Sequence, residues 1–177
     1  MGSTQKKAVL RMHDGSCLSG YLPAAGFLRR SASPDALELL DLSARCQSVP
    51  LATLKWVCFV RDFNSGEPAN PERLLRTTFA GRPRLAGVWL RMTLKDETIL
   101  EGLAANDLTL LDPAGVTITP PDTRSNTQRI FLPRTSIQEL SIVAVIGASA
   151  ASPAKRKPPS SDRGQADLFP AATPKVL

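Results

Sequence analysis

The feature that most constrains this chain is that it is written twice. Leu10-Arg11-Met12 recurs as Leu90-Arg91-Met92, and each triplet runs into a polar turn, Asp14-Gly15 in the first copy and Lys95-Asp96 in the second. Leu18-Ser19-Gly20 is echoed by Leu100-Glu101-Gly102, and Leu39-Leu40-Asp41 by Leu110-Leu111-Asp112. Val49–Val60 then aligns without a gap onto Leu132–Val143, with Pro50 on Pro133 and Leu54 on Ile137. The blocks keep their order, so the chain is expected to build one small unit twice.

Each unit reads as short strands. Ala8, Leu10 and Met12 alternate with Val9 and Arg11, and Val88, Leu90 and Met92 alternate with Trp89 and Arg91, a period of two that sends one set to a core face. Asp14-Gly15 is a hairpin turn signal. Gly20 and Gly102 fall where a strongly bent strand needs a residue without Cβ. In the last block Leu54, Val57 and Phe59, like Ile137, Leu140 and Ile142, step by three and then by two, which predicts one 3₁₀ turn between two strands. The competing helix is disfavoured by the β-branched run Ile142, Val143, Val145 and Ile146. The expected fold is all-β: two tandem small barrels of SH3-like or Sm-like type.

These motifs carry a resemblance. Val9-x-Arg11 through Asp14-Gly15 and Leu18-x-Gly20 is similar to the first motif of Sm-like proteins. So is Val88 to Gly102 with Asn106-Asp107-Leu108-Thr109-Leu110. The final Ile137-x-x-Leu140-x-Ile142 resembles their second motif. The likeness implies a bent five-stranded barrel, and as an alternative function an RNA-binding protein. Pro133-Arg134 stands where that family has Arg-Gly or Lys-Gly, so its ring assembly and uridine contacts are not carried over. The second copy also resembles an uncharacterised domain of bacterial proteins, through Arg82-Pro83, Gly87-Val88-Trp89-Leu90-Arg91, Pro120-Pro121-Asp122 and Asn126 to Arg134. That likeness implies a bacterial source and no activity.

The expected organisation is a first barrel over 6–61, a linker over 62–84, a second barrel over 85–147 and a disordered basic tail over 148–177. Within the linker Asn70-Pro71-Glu72-Arg73-Leu74-Leu75-Arg76 reads as a short helix, with Asn70 as cap and Pro71 at its first position. Gly115 to Arg129 reads as a hairpin insertion, with Val116, Ile118, Ile130 and Phe131 in its arms and Pro120-Pro121-Asp122 in its turn. The tail is rich in Ala, Ser, Pro, Lys and Arg, too poor in apolar surface to fold alone.

The 177 residues carry a net charge of +6, of which 148–177 contribute half, with five basic and two acidic residues. The folded part is therefore mildly basic, which permits nucleic acid without demanding it. Arg82, Arg84, Arg124, Arg129 and Arg134 are the candidate nucleic-acid contacts. With six Phe, two Trp and one Tyr, there are few rings to stack bases, and a protein partner is the favoured expectation. Neither a signal peptide nor an apolar span is legible, so a cytoplasmic protein without membrane contact is expected; no oligomeric state can be read.

Catalytic constellations are not found, and a non-enzyme is expected. Cys17, Cys46 and Cys58 lack ligand spacing and read as small, at least half-buried hydrophobes. His13, the one histidine, sits beside a turn with no metal-binding partner. Asp41-x-Ser43 is similar to the start of the D-x-S-x-x-G motif of PilZ cyclic-di-GMP receptors, but Cys46 replaces its glycine and Arg29-Arg30 is wrongly spaced. No cofactor or metal is expected. An enzyme built from scattered residues is the remaining alternative.

The sharpest motif lies in the tail. Gln165-Ala166-Asp167-Leu168-Phe169 resembles Gln-x-[Ser/Asp]-Leu-Phe, the pentapeptide by which many bacterial proteins dock on the replication sliding clamp. The resemblance implies that Gln165 hydrogen-bonds at a pocket rim while Leu168 and Phe169 fill an apolar cleft, with Asp167 as the motif's acidic position. A non-catalytic adaptor tethered to that clamp is the functional expectation.

Overall fold

A computed structural model describes residues 5–23, 26–28, 35–63, 66–122 and 124–147. Ten strands form: β1 (Gln5–Met12), β2 (Cys17–Pro23), β3 (Ala36–Asp41), β4 (Cys46–Pro50), β5 (Leu54–Val60), β6 (Gly87–Leu94), β7 (Ile99–Ala104), β8 (Gly115–Thr119), β9 (Thr127–Pro133) and β10 (Ile137–Ile146). Three 3₁₀ turns interrupt them, at Leu51–Thr53, Leu108–Leu111 and Arg134–Ser136. The first and third stand where the three-then-two spacing asked for them. Each follows a proline and closes by an N–H to carbonyl bond, Leu54 to Leu51 and Ile137 to Arg134.

All strands join one antiparallel sheet in the order β10-β6-β7-β8-β9-β5-β1-β2-β3-β4. The two copies share a strand order, fifth-first-second-third-fourth, as the repeat predicts. They do not lie apart as separate bodies, because β5 of the first copy pairs directly with β9 of the second, Val57 opposite Phe131 and Cys58 opposite Ile130.

That seam explains why β1, β5 and β9 are apolar on both faces. Ala8, Leu10, Val57, Phe59 and Phe131 enter one buried cluster with Leu22, Leu37 and Leu39. Their neighbours Val9, Cys58, Val60, Ile130 and Leu132 enter the other, with Leu90, Met92, Leu100 and Ile118. Each copy alone would bury too little surface for stability; the shared strands give both clusters a second wall.

Three expectations are corrected or refined. No helix forms over 70–76. Asn70 does accept the Leu74 N–H, at 3.3 Å, and the Arg73 N–H reaches the Asn70 carbonyl at 2.9 Å. The turn then stops at Arg73, whose φ is 49°. The carbonyls of Pro71 and Glu72 are taken by Asn126 Nδ2 and Thr127 Oγ1, so they are not free for a helical ladder. Next, Leu39–Asp41 lies in β3 whereas Leu110–Asp112 ends a 3₁₀ turn, so that echo is not structurally equivalent. Finally, β8 and β9 pair through Val116 with Leu132 and Ile118 with Ile130, as a hairpin should, but they are the third and fourth strands of the second copy rather than an insertion.

Candidate functional site

Two buried carboxylates fix the scaffold around the surface grooves. Arg11 donates through Nε and Nη2 to Glu72, at 2.7–2.9 Å, and Glu72 is 1% exposed. Trp56 Nε1 points at the same carboxylate from 3.4 Å. In the second copy Arg91 Nε donates to Glu101 at 2.8 Å, with Trp89 Nε1 at 3.3 Å and the Phe79 N–H at 2.9 Å. The echo of Leu10-Arg11-Met12 in Leu90-Arg91-Met92 is not a structural one: with Gly20 matched to Gly102, Arg11 falls on Thr93 and Arg91 on Val9, and one carboxylate comes from the linker and the other from β7. Both pin the 66–86 segment to the sheet. Neither pair was legible in the sequence, where the shared triplet sets the two arginines in a register the strands do not keep and the acidic partners lie at unrelated spacings.

At the seam the 3₁₀ turns of the two copies meet. Leu51 N–H bonds the Asp35 carbonyl at 2.8 Å, and Thr135 Oγ1 reaches across to the Leu51 carbonyl at 3.3 Å. The Leu108–Leu111 turn is capped by Asp107, whose carboxylate accepts the Thr109 N–H at 2.9 Å. Arg134 braces it from below, donating to the carbonyls of Leu110 and of Asp112. Between these turns runs an open groove of about 1090 Å³ lined by Leu28, Pro50, Leu51, Leu108, Leu111 and Pro113. Leu108 and Leu111 stand 83% and 76% exposed on its lip.

The candidate arginines do not gather into one patch. Arg82 and Arg84 border a shallow depression with Leu85, Leu103, Pro120 and Pro121. Arg129 and Lys6 border an adjoining groove that also reaches Leu85 and Leu103 and includes Phe27 and Asp107. Those three arginines thus share one stretch of surface. Arg124 sits in the β8–β9 turn, its N–H bonded to Asp122 at 3.0 Å. Arg134 is half-buried and committed to the turn it braces.

A family model described as a family of unknown function, DUF6982, matches residues 4–144. The chain belongs to DUF6982. The DUF6982 match spans both copies, so the family unit is the whole ten-stranded sheet rather than one half. No curated protein and no solved structure matches the chain.

The remaining polar candidates in this DUF6982 chain do local work. Asp41 accepts the N–H groups of Ser43 and Arg45, at 2.8 and 2.9 Å, and Gln47 Nε2 at 2.8 Å, shaping the β3–β4 turn. Those bonds, the Arg45 N–H first, hold its carboxyl below the usual range. His13 is exposed, and its N–H bonds the Thr53 carbonyl at 3.1 Å. Cys58 is buried and Cys17 half-buried, while Cys46 is exposed, contrary to its sequence reading. Among the described residues no three His, Cys, Asp or Glu side chains converge as metal ligands. Among the described residues no helix is long and apolar enough to cross a membrane. Arg29-Arg30 and the Gln165–Phe169 motif lie outside the described residues.

Proposed function

We propose that this DUF6982 chain is a non-catalytic adaptor of the bacterial cytoplasm, whose seam groove receives an apolar segment of a protein partner. The observation that carries the reading is the pair Leu108 and Leu111, held outward on a doubly braced turn above an apolar floor. Side chains of this size are worth roughly 1.5–3 kcal/mol each when covered. Exposed apolar patches on a rigid frame mark interaction surfaces. The common strand order and the 3₁₀ turn before each fifth strand support an Sm-like reading of each half. The tail motif Gln165, Asp167, Leu168 and Phe169 supplies the second contact, a tether to the sliding clamp, of micromolar strength as befits a short peptide that orders on binding.

Selection from a displayed peptide library against the full chain tests the groove. Apolar peptides whose binding is lost in Leu108→Glu/Leu111→Glu support it; selected peptides indifferent to that change exclude it. Calorimetry against the sliding clamp, with Leu168→Ala/Phe169→Ala as control, tests the tether separately.

One observation favours a second reading, binding of single-stranded nucleic acid. Lys6, Arg82, Arg84 and Arg129 flank connected grooves that also contain Phe27, a cation-and-ring combination that suits phosphates and bases. Titration of a labelled oligonucleotide at low and moderate salt decides it. Salt-sensitive binding weakened by Arg82→Ala/Arg84→Ala/Arg129→Ala establishes it; no binding at low salt removes it.

A further inference from the structure

The two ends of the sheet differ in kind. β4 is five residues long, ends in Pro50, and shows Cys46 and Ser48 to solvent. Such short, polar, proline-closed edges resist further pairing. β10 is ten residues long, has no proline and carries one charge, Glu139. It pairs only with β6 among the described residues, and its Ile142, Val143 and Val145 are 62%, 42% and 58% exposed.

The first copy shows what covers such a strand. By the repeat, Ile142 and Val143 stand where Phe59 and Val60 stand in β5. Both of those are 6% exposed, with β9 alongside and the two core clusters over them. β10 has the same apolar character and, among the described residues, no strand on the side away from β6. β4 cannot serve as that neighbour in a head-to-tail chain of copies. Counting back from the aligned prolines, it offers Gln47 and Ser48 where β9 offers Ile130 and Phe131 to the seam.

We propose that β10 is a homodimer interface, at which two copies of this chain pair antiparallel, edge to edge, about a two-fold axis. The strand is self-complementary in the sense such an axis requires. Any register centred from Ser141 to Val143 sets Glu139 opposite one of residues 143–147, none of which is charged. The pairing supplies main-chain hydrogen bonds to the open edge, and the two rows of Ile142, Val143 and Val145 cover one another. It closes after two copies and leaves only protected β4 edges outside, so it ends assembly where an unpaired β10 would invite aggregation.

Light scattering of the full chain after size exclusion gives the mass. Twice the 19.0 kDa of one chain is expected, falling to a single chain in Ile142→Lys/Val145→Lys. Hydrogen exchange on the same samples should find the outward β10 amides, those not bonded to β6, protected in the wild type and released in the variant, with β6 amides protected in both. The β6 signal reports that the fold persists; should the double change unfold the chain, Val145→Lys alone replaces it. A wild-type monomer overturns the proposal, including one whose outward β10 amides are protected, since its own tail then covers the edge. A dimer that survives the variants overturns it too. So does a larger species that Cys46→Lys/Ser48→Lys dissolves, which marks head-to-tail growth through β4.

Discussion

Arg11 and Glu72 form a charge pair in which Nη2 lies 2.7 Å from both carboxylate oxygens and Nε lies 2.9 Å from one of them, across 61 positions of sequence. The arginine side chain is 16% exposed and the carboxylate 2%. Removing one partner of such a pair leaves the other buried without compensation, at a cost of about 3 kcal/mol or more. Arg11→Met is therefore expected to lower the urea-unfolding free energy by about 3 kcal/mol and to make the 66–86 segment sensitive to proteases. Arg91→Met should cost less, because Arg91 is 55% exposed and Glu101 keeps its bonds from Phe79 and Trp89. Equal losses, or a loss below about 1 kcal/mol for Arg11→Met, contradict the assignment.

Much of the fold was legible in the residues. Alternation in Val88, Leu90 and Met92, the Asp14-Gly15 turn and the spacing from Leu54 to Phe59 each encode local geometry, and local geometry survives folding. What was not legible was decided across the chain. Cys58 and Ile130 face one another across the junction of β5 with β9, a pairing no local pattern announces. The Asn70–Arg76 segment carries sound helix signals, but Asn126 and Thr127 take its carbonyls. The seam groove was invisible for the same reason: Leu108 and Leu111 look like core leucines until Asp107 and Arg134 turn them outward. Three of the five candidate arginines share a surface; Arg134 does not, because its role is internal.

The repeated glycines separate two kinds of crowding. A Cβ on Gly20 would stand 2.5 Å from the Leu40 carbonyl oxygen, main chain that cannot move without breaking β3. A Cβ on Gly102 would meet the Ile118 Cδ1 at 2.5 Å and its Cβ at 2.8 Å. Overfilling of this sort costs about 1–3 kcal/mol. Gly20→Ala is expected at the upper end and Gly102→Ala below it, since an isoleucine has some freedom to turn. Chemical unfolding of both variants checks the order; the reverse order would deny that main-chain contact is the harder constraint.

The equivalent hairpin turns also differ at one backbone position. Gly15 has φ 87° and Glu97, at the same place in the second copy, has φ 63°. The left-handed region costs a residue with a side chain about 1 kcal/mol, whereas glycine adopts it freely. Glycine loses more entropy on folding, which takes back part of the gain, so Glu97→Gly is expected to stabilise by about 0.5 kcal/mol. Ala44, at φ 60° in the β3–β4 turn, should respond alike. A thermal melt displaced downward in both variants would refute the strain.

The three thiols should answer a disulfide reagent in order of burial. Burial pushes the Cys58 thiol far up, and nearby Glu72 adds to it. Burial raises Cys17 as well, opposed in part by Arg11. Cys46 is exposed on β4. With the thiolate as the reacting form, the native protein at mild alkaline pH is expected to show one fast equivalent from Cys46. A slower one follows from Cys17, and Cys58 reacts only on unfolding. Fast reaction at Cys58 in the folded chain would mean that β5 is not covered as described.

Acid should loosen the turns together. Ser16, through its hydroxyl first and its N–H second, holds the Asp14 carboxyl below its ordinary 3.8. Thr109 does the same for Asp107, hydroxyl first. The Arg45 N–H leads for Asp41. At Asp96 partial burial pulls upward, but the Lys55 ammonium at 2.5 Å and Thr98 outweigh it and leave the group low. All four shifts have one sign: the folded chain binds protons less readily than the unfolded chain. The stability they give is complete above 3.8, the value of the unfolded chain, and is lost as pH falls through the lower folded values. Denaturation midpoints are expected to hold between pH 7 and about 4.5 and to decline below that. Asp41→Asn keeps an acceptor for Ser43 and Arg45 but lacks the charge, so it should be less stable at pH 7 and lose less on acidification. Midpoints that stay level to pH 2.5, or an Asp41→Asn profile parallel to wild type, would remove the turn carboxylates from the account.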